Sequence, residues 1–386
     1  MTGQPVSPLL LALAAAYLAV WAFNMYAARA FSLLGRMIRL AEKDEPHVPA
    51  CNATPVTLVI THDGQGAALR RLLPAFLEQS HPDFEILLIS SRPLDREAEA
   101  YLSLLTPCRP ALHSHVLPAH AQGVSAEALT LSMALRTAEH PWVVICRLES
   151  RPAGMQWLGR MASQVRPGTC FVAGLTLRHP TSFLYLWRQM MNLPYALRHG
   201  LHTLQQDNLM VHAPGFLAAG GMSRAAELNR GILAEAVNRL SRPANTRLCL
   251  HPEAFVWQPS PATPQEWLAR ELFRHHVTLR FTRRHRHVSL QGTIVAATWL
   301  HSLLLVALIA TAVWQGAWWM VLPAPVLIGA LVFRRAAQIN LTTEALSLPP
   351  CRLTLGYRLH RLAITRLRIL LAYDISDKNE YRKQNL

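Results

Sequence analysis

PLLLALAAAYLAVWAFNMYAARAF, beginning at Pro8, is long and apolar enough to span a bilayer. A spanning helix needs about 20 apolar residues and satisfies its backbone polar groups internally. No small-residue cleavage site follows it, and Tyr26, Arg29 and Arg36 flank its end, so it reads as a retained anchor and not a signal peptide. Leu290 to Val313 is a second such stretch, and Ala317 to Phe333, opening with Trp318-Trp319, a shorter third. The third also fits a buried core helix.

Basic residues mark one side of each stretch. Arg29, Arg36, Arg39 and Lys43 follow the first; Arg280, Arg283, Arg284 and Arg286 precede the second; Arg334 and Arg335 follow the third. Cationic flanks stay on the cytoplasmic side. The chain is therefore expected to be a multi-pass protein of the plasma (inner) membrane, with an outside N-terminus, a cytoplasmic middle domain, a short hairpin and a cytoplasmic tail. Membrane lipids are its first expected partner. The 51% apolar composition agrees.

The formal charge of +15 points to partners that carry phosphate: nucleic acid, anionic lipid or nucleotide. The basic residues concentrate beside the spans and in the tail, and no nucleic-acid motif is present, so nucleic acid is not expected. The six cysteines (Cys51, Cys108, Cys146, Cys170, Cys249, Cys351) are scattered with no CxxC pair, which suits a reducing compartment and no zinc framework.

Between the spans the texture changes. Thr57-Leu58-Val59-Ile60-Thr61, Glu85 to Ser90, Val143 to Cys146 and Phe171 to Gly174 are short apolar runs, separated by helical patterns such as Ser125 to Ala138. Continuous apolar strands between helices indicate a mostly parallel sheet covered on both faces. Ligands of such sheets bind at the carboxyl ends of the strands. The polar residues there are Thr61, His62 and Asp63, then Ser90, Ser91 and Arg92, then Arg147 and Glu149.

Four segments in order resemble the membrane-anchored family 2 glycosyltransferases, an inverting group with the GT-A fold that includes cellulose and hyaluronan synthases. Val56 to Ser90 matches the family's opening strand, helix and Q-x-x-x-x-x-E frame through Gln79 and Glu85. Arg147-Leu148-Glu149-Ser150-Arg151-Pro152, with Trp157-Leu158, stands in the frame of the Asp-Ala-Asp segment. Asn208 to Val211 with Gly220-Gly221 resembles the acceptor-side segment. Pro264 to His275 resembles the interfacial helix with its Gln-x-x-Arg element, in which Glu271 replaces the Gln and Arg274 keeps the Arg.

The resemblance implies a nucleotide-sugar donor such as a UDP-sugar, with Mg²⁺ or Mn²⁺ held on its diphosphate by two carboxylates. Here Arg147 replaces the first, a cation that repels a metal and can itself contact phosphate. Glu149 is the acid left that could hold a metal. The two also lie two apart on what reads as extended chain, a spacing at which they could pair. The general base of the family comes from a Gly-[Glu/Asp]-Asp element. In NRGILAEAVNR, Asn229 to Arg239, Ile232 and Leu233 occupy the acids' places. Glu235 one turn on is open to two readings: a displaced base, or a solvated helix residue paired with Arg239. Asp63 stands near the donor-binding Asn-Glu of the family, and also precedes a glycine as turn residues do.

The expectation is thus an α/β chain: a GT-A-like, mostly parallel sheet with helices on both faces, and about three transmembrane helices. Its parts would be an anchor over 1–36, a cytoplasmic domain over 50–288, a transmembrane hairpin over 289–335 and a basic amphipathic tail over 350–386. The tail, with Arg352, Arg358, Arg361, Arg366 and Arg368 among leucines and isoleucines, fits either the anionic leaflet or packing against the protein. Donor binding is expected at Asp63, Arg147 and Glu149, acceptor contacts at Asn208 and Arg274, and base chemistry at Glu235. The expected function is sugar transfer to a lipid-linked or envelope-glycan acceptor. The alternative is an inactive pseudo-glycosyltransferase that serves as scaffold or regulator for a protein partner in an envelope complex.

Overall fold

The computed structural model describes residues 7–43, 54–109, 111–117, 125–201, 208–221, 230–282, 284–351 and 355–377. Cys51, Asn229, Arg283 and Arg352, read above, lie outside them. The chain is a mixed α/β protein with two compact units. One gathers Met1–Met37, Phe183–Pro194 and His285–Leu370; the other gathers Ile38–Ser182, Tyr195–Arg284 and Leu371–Leu386.

In chain order the structure opens with α1 (Pro8–Ala27), α2 (Leu33–Lys43), β1 (Val56–His62), α3 (Gly66–Leu72), α4 (Pro74–Leu77) and β2 (Phe84–Ser90). Then come α5 (Arg96–Leu105), β3 (Leu112–Val116), α6 (Ala126–Thr137), β4 (Trp142–Arg147), β5 (Arg151–Pro152), α7 (Trp157–Ala162), β6 (Phe171–Gly174) and β7 (Thr176–His179). The next elements are α8 (Phe183–His199), β8 (Leu209–His212), α9 (Ala213–Ala218), α10 (Ile232–Leu240), β9 (Thr246–Cys249) and β10 (Val256–Pro259). Four helices close the chain: α11 (Pro264–Leu279), α12 (Arg284–Trp314), α13 (Ala324–Ala345) and α14 (Leu355–Ile375).

A seven-stranded sheet, ordered β3-β2-β1-β4-β8-β6-β9, organises the second unit. β2, β1 and β4 run parallel in register, and β8 alone runs against both of its neighbours. A small sheet, β5-β10-β7, lies beside it. Strand side chains alternate between faces. On β1, Val56, Leu58 and Ile60 enter one core with Leu69, Phe76, Leu102 and Trp157 from the helices α3, α4, α5 and α7. Val59 enters the other core, with Leu131 and Leu135 of α6 and Leu233 and Val237 of α10. Both faces are covered, which is why the strands read as unbroken apolar runs.

Two frame residues prove to be structural. Gln79 is buried, donating from Nε2 to the Gly154 carbonyl (3.1 Å) and accepting from Leu158 N (3.2 Å), so it ties the end of α4 to α7. Glu85 is buried beneath the turn that follows α6 and accepts from the backbone N of Glu139 (2.7 Å).

Three helical stretches, Pro8–Lys43, Ser289–Trp314 and Trp318–Ala345, are long and apolar enough to cross a membrane. The third leaves Val326 73% and Phe333 74% exposed, which rules out the core-helix reading of that stretch. α1 buries Leu10, Tyr17 and Asn24, one residue every seven, as a packed seam requires. Asn24 donates to the Ala297 carbonyl (3.0 Å), and Arg335 donates to both Asn24 and Thr298, the latter at 2.9 Å. In a bilayer, where apolar contact between helices gains little over lipid, such polar ties hold spans together.

Candidate functional site

β1 and β4 are neighbours, and Thr61 pairs with Arg147 at their carboxyl ends. The loops leaving these strands therefore place Asp63 beside the Arg147–Glu149 segment, with Ser91 and Arg92 after β2 on the other side. Gly64 shapes the first loop: its φ is +78° and an added Cβ would meet the Pro93 carbonyl at 2.6 Å, so the turn demands glycine. Asp63 is exposed and accepts from the Ser91 hydroxyl (3.2 Å). His62, just inside, is buried; its Nδ1 accepts from Gly64 N at 3.2 Å, which leaves the proton on Nε2. Burial pushes its pKa below the usual imidazole value, against the opposing pull of Asp63.

Arg147 does not continue into extended chain as expected. Leu148 is buried, its N donates to the Thr61 carbonyl (2.9 Å), and Ser150 N closes a turn on the Arg147 carbonyl (2.9 Å). Arg147 and Glu149 are thus not strand-face neighbours; the buried leucine pulls the chain into a turn that presents both at the edge. Arg92, Arg147 and Glu149 are all exposed. This edge offers two guanidinium groups against two separate carboxylates. A glutamate beside an arginine does not fit a divalent cation; the two guanidinium groups fit the oxygens of a phosphate.

The other expected residues are held by contacts of their own. Asn208, just before β8, is buried. Its Nδ2 donates to the carbonyls of Leu175 (3.1 Å) and Ala254 (2.8 Å), and its Oδ1 accepts from Trp157 Nε1 (2.9 Å). The side chain is a knot between four segments, which explains its place in the frame without a ligand. Glu235, in the first turn of α10, is also buried, not solvated, and lies 3.6 Å from Arg239 Nε. Arg274 is half-buried on α11, which packs against α10.

One carboxylate escaped the sequence reading. Glu127, near the start of α6, accepts from Gly231 N (2.5 Å) and Leu233 N (3.4 Å), so it caps α10 at the very place where the base motif was sought. A helix that crosses between parallel strands begins at their carboxyl edge, so Glu127 is at the level of the Asp63 and Arg147 loops. No local pattern could have linked Glu127 to Gly231.

No protein-family model matches the chain, and no curated protein does. Among solved structures, a mannosyltransferase, PcManGT from Pyrobaculum calidifontis in complex with GDP-Man and Mn²⁺, is 15% identical over 86% of this chain and 99% of its own, with a TM-score of 0.49. TarS of S. aureus is 11% identical over 64% of this chain and 44% of its own, with a TM-score of 0.41. Its fragment 1–349 is 11% identical over 76% of this chain and 90% of its own, also at 0.41. Likenesses this distant leave the chemistry to be argued from the residues themselves.

Proposed function

We propose that the α/β unit is a membrane-held, family 2-like glycosyltransferase domain of GT-A type that takes the diphosphate of a nucleotide sugar at the carboxyl edge of β1 and β4. The observation that carries this is the placement of exposed Arg147 in register with Thr61, directly beside the Asp63 loop. Arg147 meets the phosphates as a forked donor where a metal would otherwise stand, and Asp63 takes the ribose or base. Glu149 flanks the sugar. The acceptor is a lipid-linked or envelope glycan, in keeping with helices able to span a membrane, and the unit lies on the cytoplasmic side of the inner membrane.

A second reading has its own observation. Ile232, Leu233 and Glu235 are all buried at the start of α10, and Glu235 lies against Arg239. No acid of that turn is exposed to take an acceptor proton. This favours a pseudoenzyme that binds nucleotide or a protein partner without transferring sugar.

Calorimetric titration of the detergent-purified chain with UDP and UDP-sugars, with and without Mg²⁺ or Mn²⁺, separates these. Metal-independent binding that is lost in Arg147→Ala supports the donor site described here. Metal dependence that is lost in Glu149→Ala supports ordinary metal-assisted binding and defeats the arginine assignment. Absence of binding to all of them leaves the scaffold reading.

A further inference from the structure

A second cluster of chemistry-bearing residues lies at the opposite, amino-terminal edge of the sheet. Glu85 is the second residue of β2 and pairs with Thr57; His113 is the second residue of β3 and pairs with Leu87. Glu85 and Leu87 share a face, and residues paired in register lie on the same face, so His113 joins them under the end of α6. Glu139 follows α6 and hangs over both. One ligand atom from each of the three side chains lies within 4.8 Å of the other two.

The carboxylate of Glu85 is half satisfied. Oε1 accepts from the Thr57 hydroxyl and from Glu139 N. Oε2 is buried and meets no hydrogen-bond donor among the described residues, although Glu85 is only 2% exposed. A buried carboxylate oxygen with no partner is costly. A cation is a partner that would relieve it, and the His113 imidazole and the Glu139 carboxylate lie beside the Glu85 carboxylate.

We propose that Glu85, His113 and Glu139 bind a first-row divalent metal ion, with zinc as the ion of choice. Two carboxylates and one neutral imidazole offset a double positive charge, and nitrogen with oxygen donors suits Zn²⁺. Tetrahedral coordination at about 2.0–2.2 Å spaces ligand atoms by about 3.3–3.6 Å, so a rotation of the exposed Glu139 side chain completes the site. A water fills the remaining position. The ion would pin the edge strand β3 to β2 and to the turn between α6 and β4. It lies at the edge away from Arg147, so its binding is independent of nucleotide binding.

The test uses the full chain purified in detergent, stripped with chelator and titrated with Zn²⁺ alone. The expected result is one zinc per chain by elemental analysis and a melting temperature that climbs with zinc concentration. His113→Ala and Glu139→Gln should each weaken binding at least about tenfold, since even residues that only orient a ligand are worth that much. Glu139 is exposed, so its variant reads the site even if His113→Ala folds poorly. Cys108→Ser, which removes an exposed thiol that could trap zinc, should leave the affinity unchanged. Zinc uptake that survives in both ligand variants, or that disappears with Cys108, overturns the proposal, as does a wild-type chain that takes up none.

Discussion

Glu127 accepts a hydrogen bond of 2.5 Å from the backbone nitrogen of Gly231, joining the first turn of α6 to the start of α10 across 104 positions of sequence. Gly231 sits at φ +81°, and a Cβ there would press on Val277 of α11 at 2.6 Å, so three helices depend on one turn. The carboxylate also meets Leu233 N (3.4 Å), where a helix start favours negative charge. Glu127→Ala should therefore destabilise the α/β unit by about 1–2 kcal/mol, the usual worth of a strong cap. Glu127→Gln should recover part of it. Thermal melting followed by intrinsic fluorescence checks both.

Asn208 invites a different experiment. Its replacement by alanine strands the Trp157 indole nitrogen and the Ala254 carbonyl inside the core, while the Leu175 carbonyl keeps the Val256 N–H, at about 2–4 kcal/mol in total. If Asn208 served only to touch an acceptor, the variant would melt like wild type. Melting temperature distinguishes the two, and it is expected to fall.

Acid should loosen the α3–α5 corner. Asp95 caps α5 through Ala98 N (2.7 Å) and also accepts from Gly66 N (3.1 Å) at the start of α3. These backbone hydrogen bonds, that of Ala98 first, hold its pKa below the ordinary value. A depressed folded pKa means stability that is present above the unfolded carboxylate's pKa, about 3.9, and is lost as pH falls through it toward the folded value. Asp95→Asn should flatten that part of the curve of melting temperature against pH, and identical curves for variant and wild type would refute the assignment.

At the strand edge, arginine and lysine should not be equivalent. If Arg147 grips a diphosphate as a planar fork, Arg147→Lys keeps the charge but loses the paired hydrogen bonds, weakening UDP binding roughly tenfold. A purely electrostatic role predicts no difference between the two side chains. Calorimetry at two salt concentrations decides, because long-range attraction fades with salt while the fork does not.

Within the helical unit, Asn24→Leu removes an acceptor of Arg335 and the tie to the Ala297 carbonyl. Polar ties between apolar helices in a membrane are worth about 0.6–2 kcal/mol each, so a lower melting temperature in detergent is expected. Asn24→Gln should lie between the two.

Local pattern carried much of the architecture. The apolar runs at Thr57, Glu85, Val143 and Phe171 fall within β1, β2, β4 and β6, and the helix read over Ser125 to Ala138 is α6, because burial on both faces and a Ser125 cap leave local marks. The three membrane-length helices were legible for a similar reason: length and hydropathy belong to contiguous residues. The third runs on past Arg335 to Ala345, beyond its apolar stretch, because Arg335 finds Asn24 and Thr298 as partners. The site was legible only in part. Asp63, Arg147 and Glu149 were expected at the strand ends, and that is where they stand. Buried Leu148 turned the expected extended segment into a turn, and the surroundings of Asn208 and Glu235 depended on segments far away in sequence.

What the sequence by itself determined, then, was the alternation of strands and helices, the membrane-length helices and the arginine at the end of β4. Each follows from the composition of neighbouring residues. What only the tertiary structure decided was which polar side chains are used up and which remain available. Asn208 closes on Trp157, Glu127 on Gly231, and Glu85 keeps one buried oxygen unmet beside His113 and Glu139. A hydrogen-bond partner is fixed by distance in space, and folding brings together residues that share no local pattern.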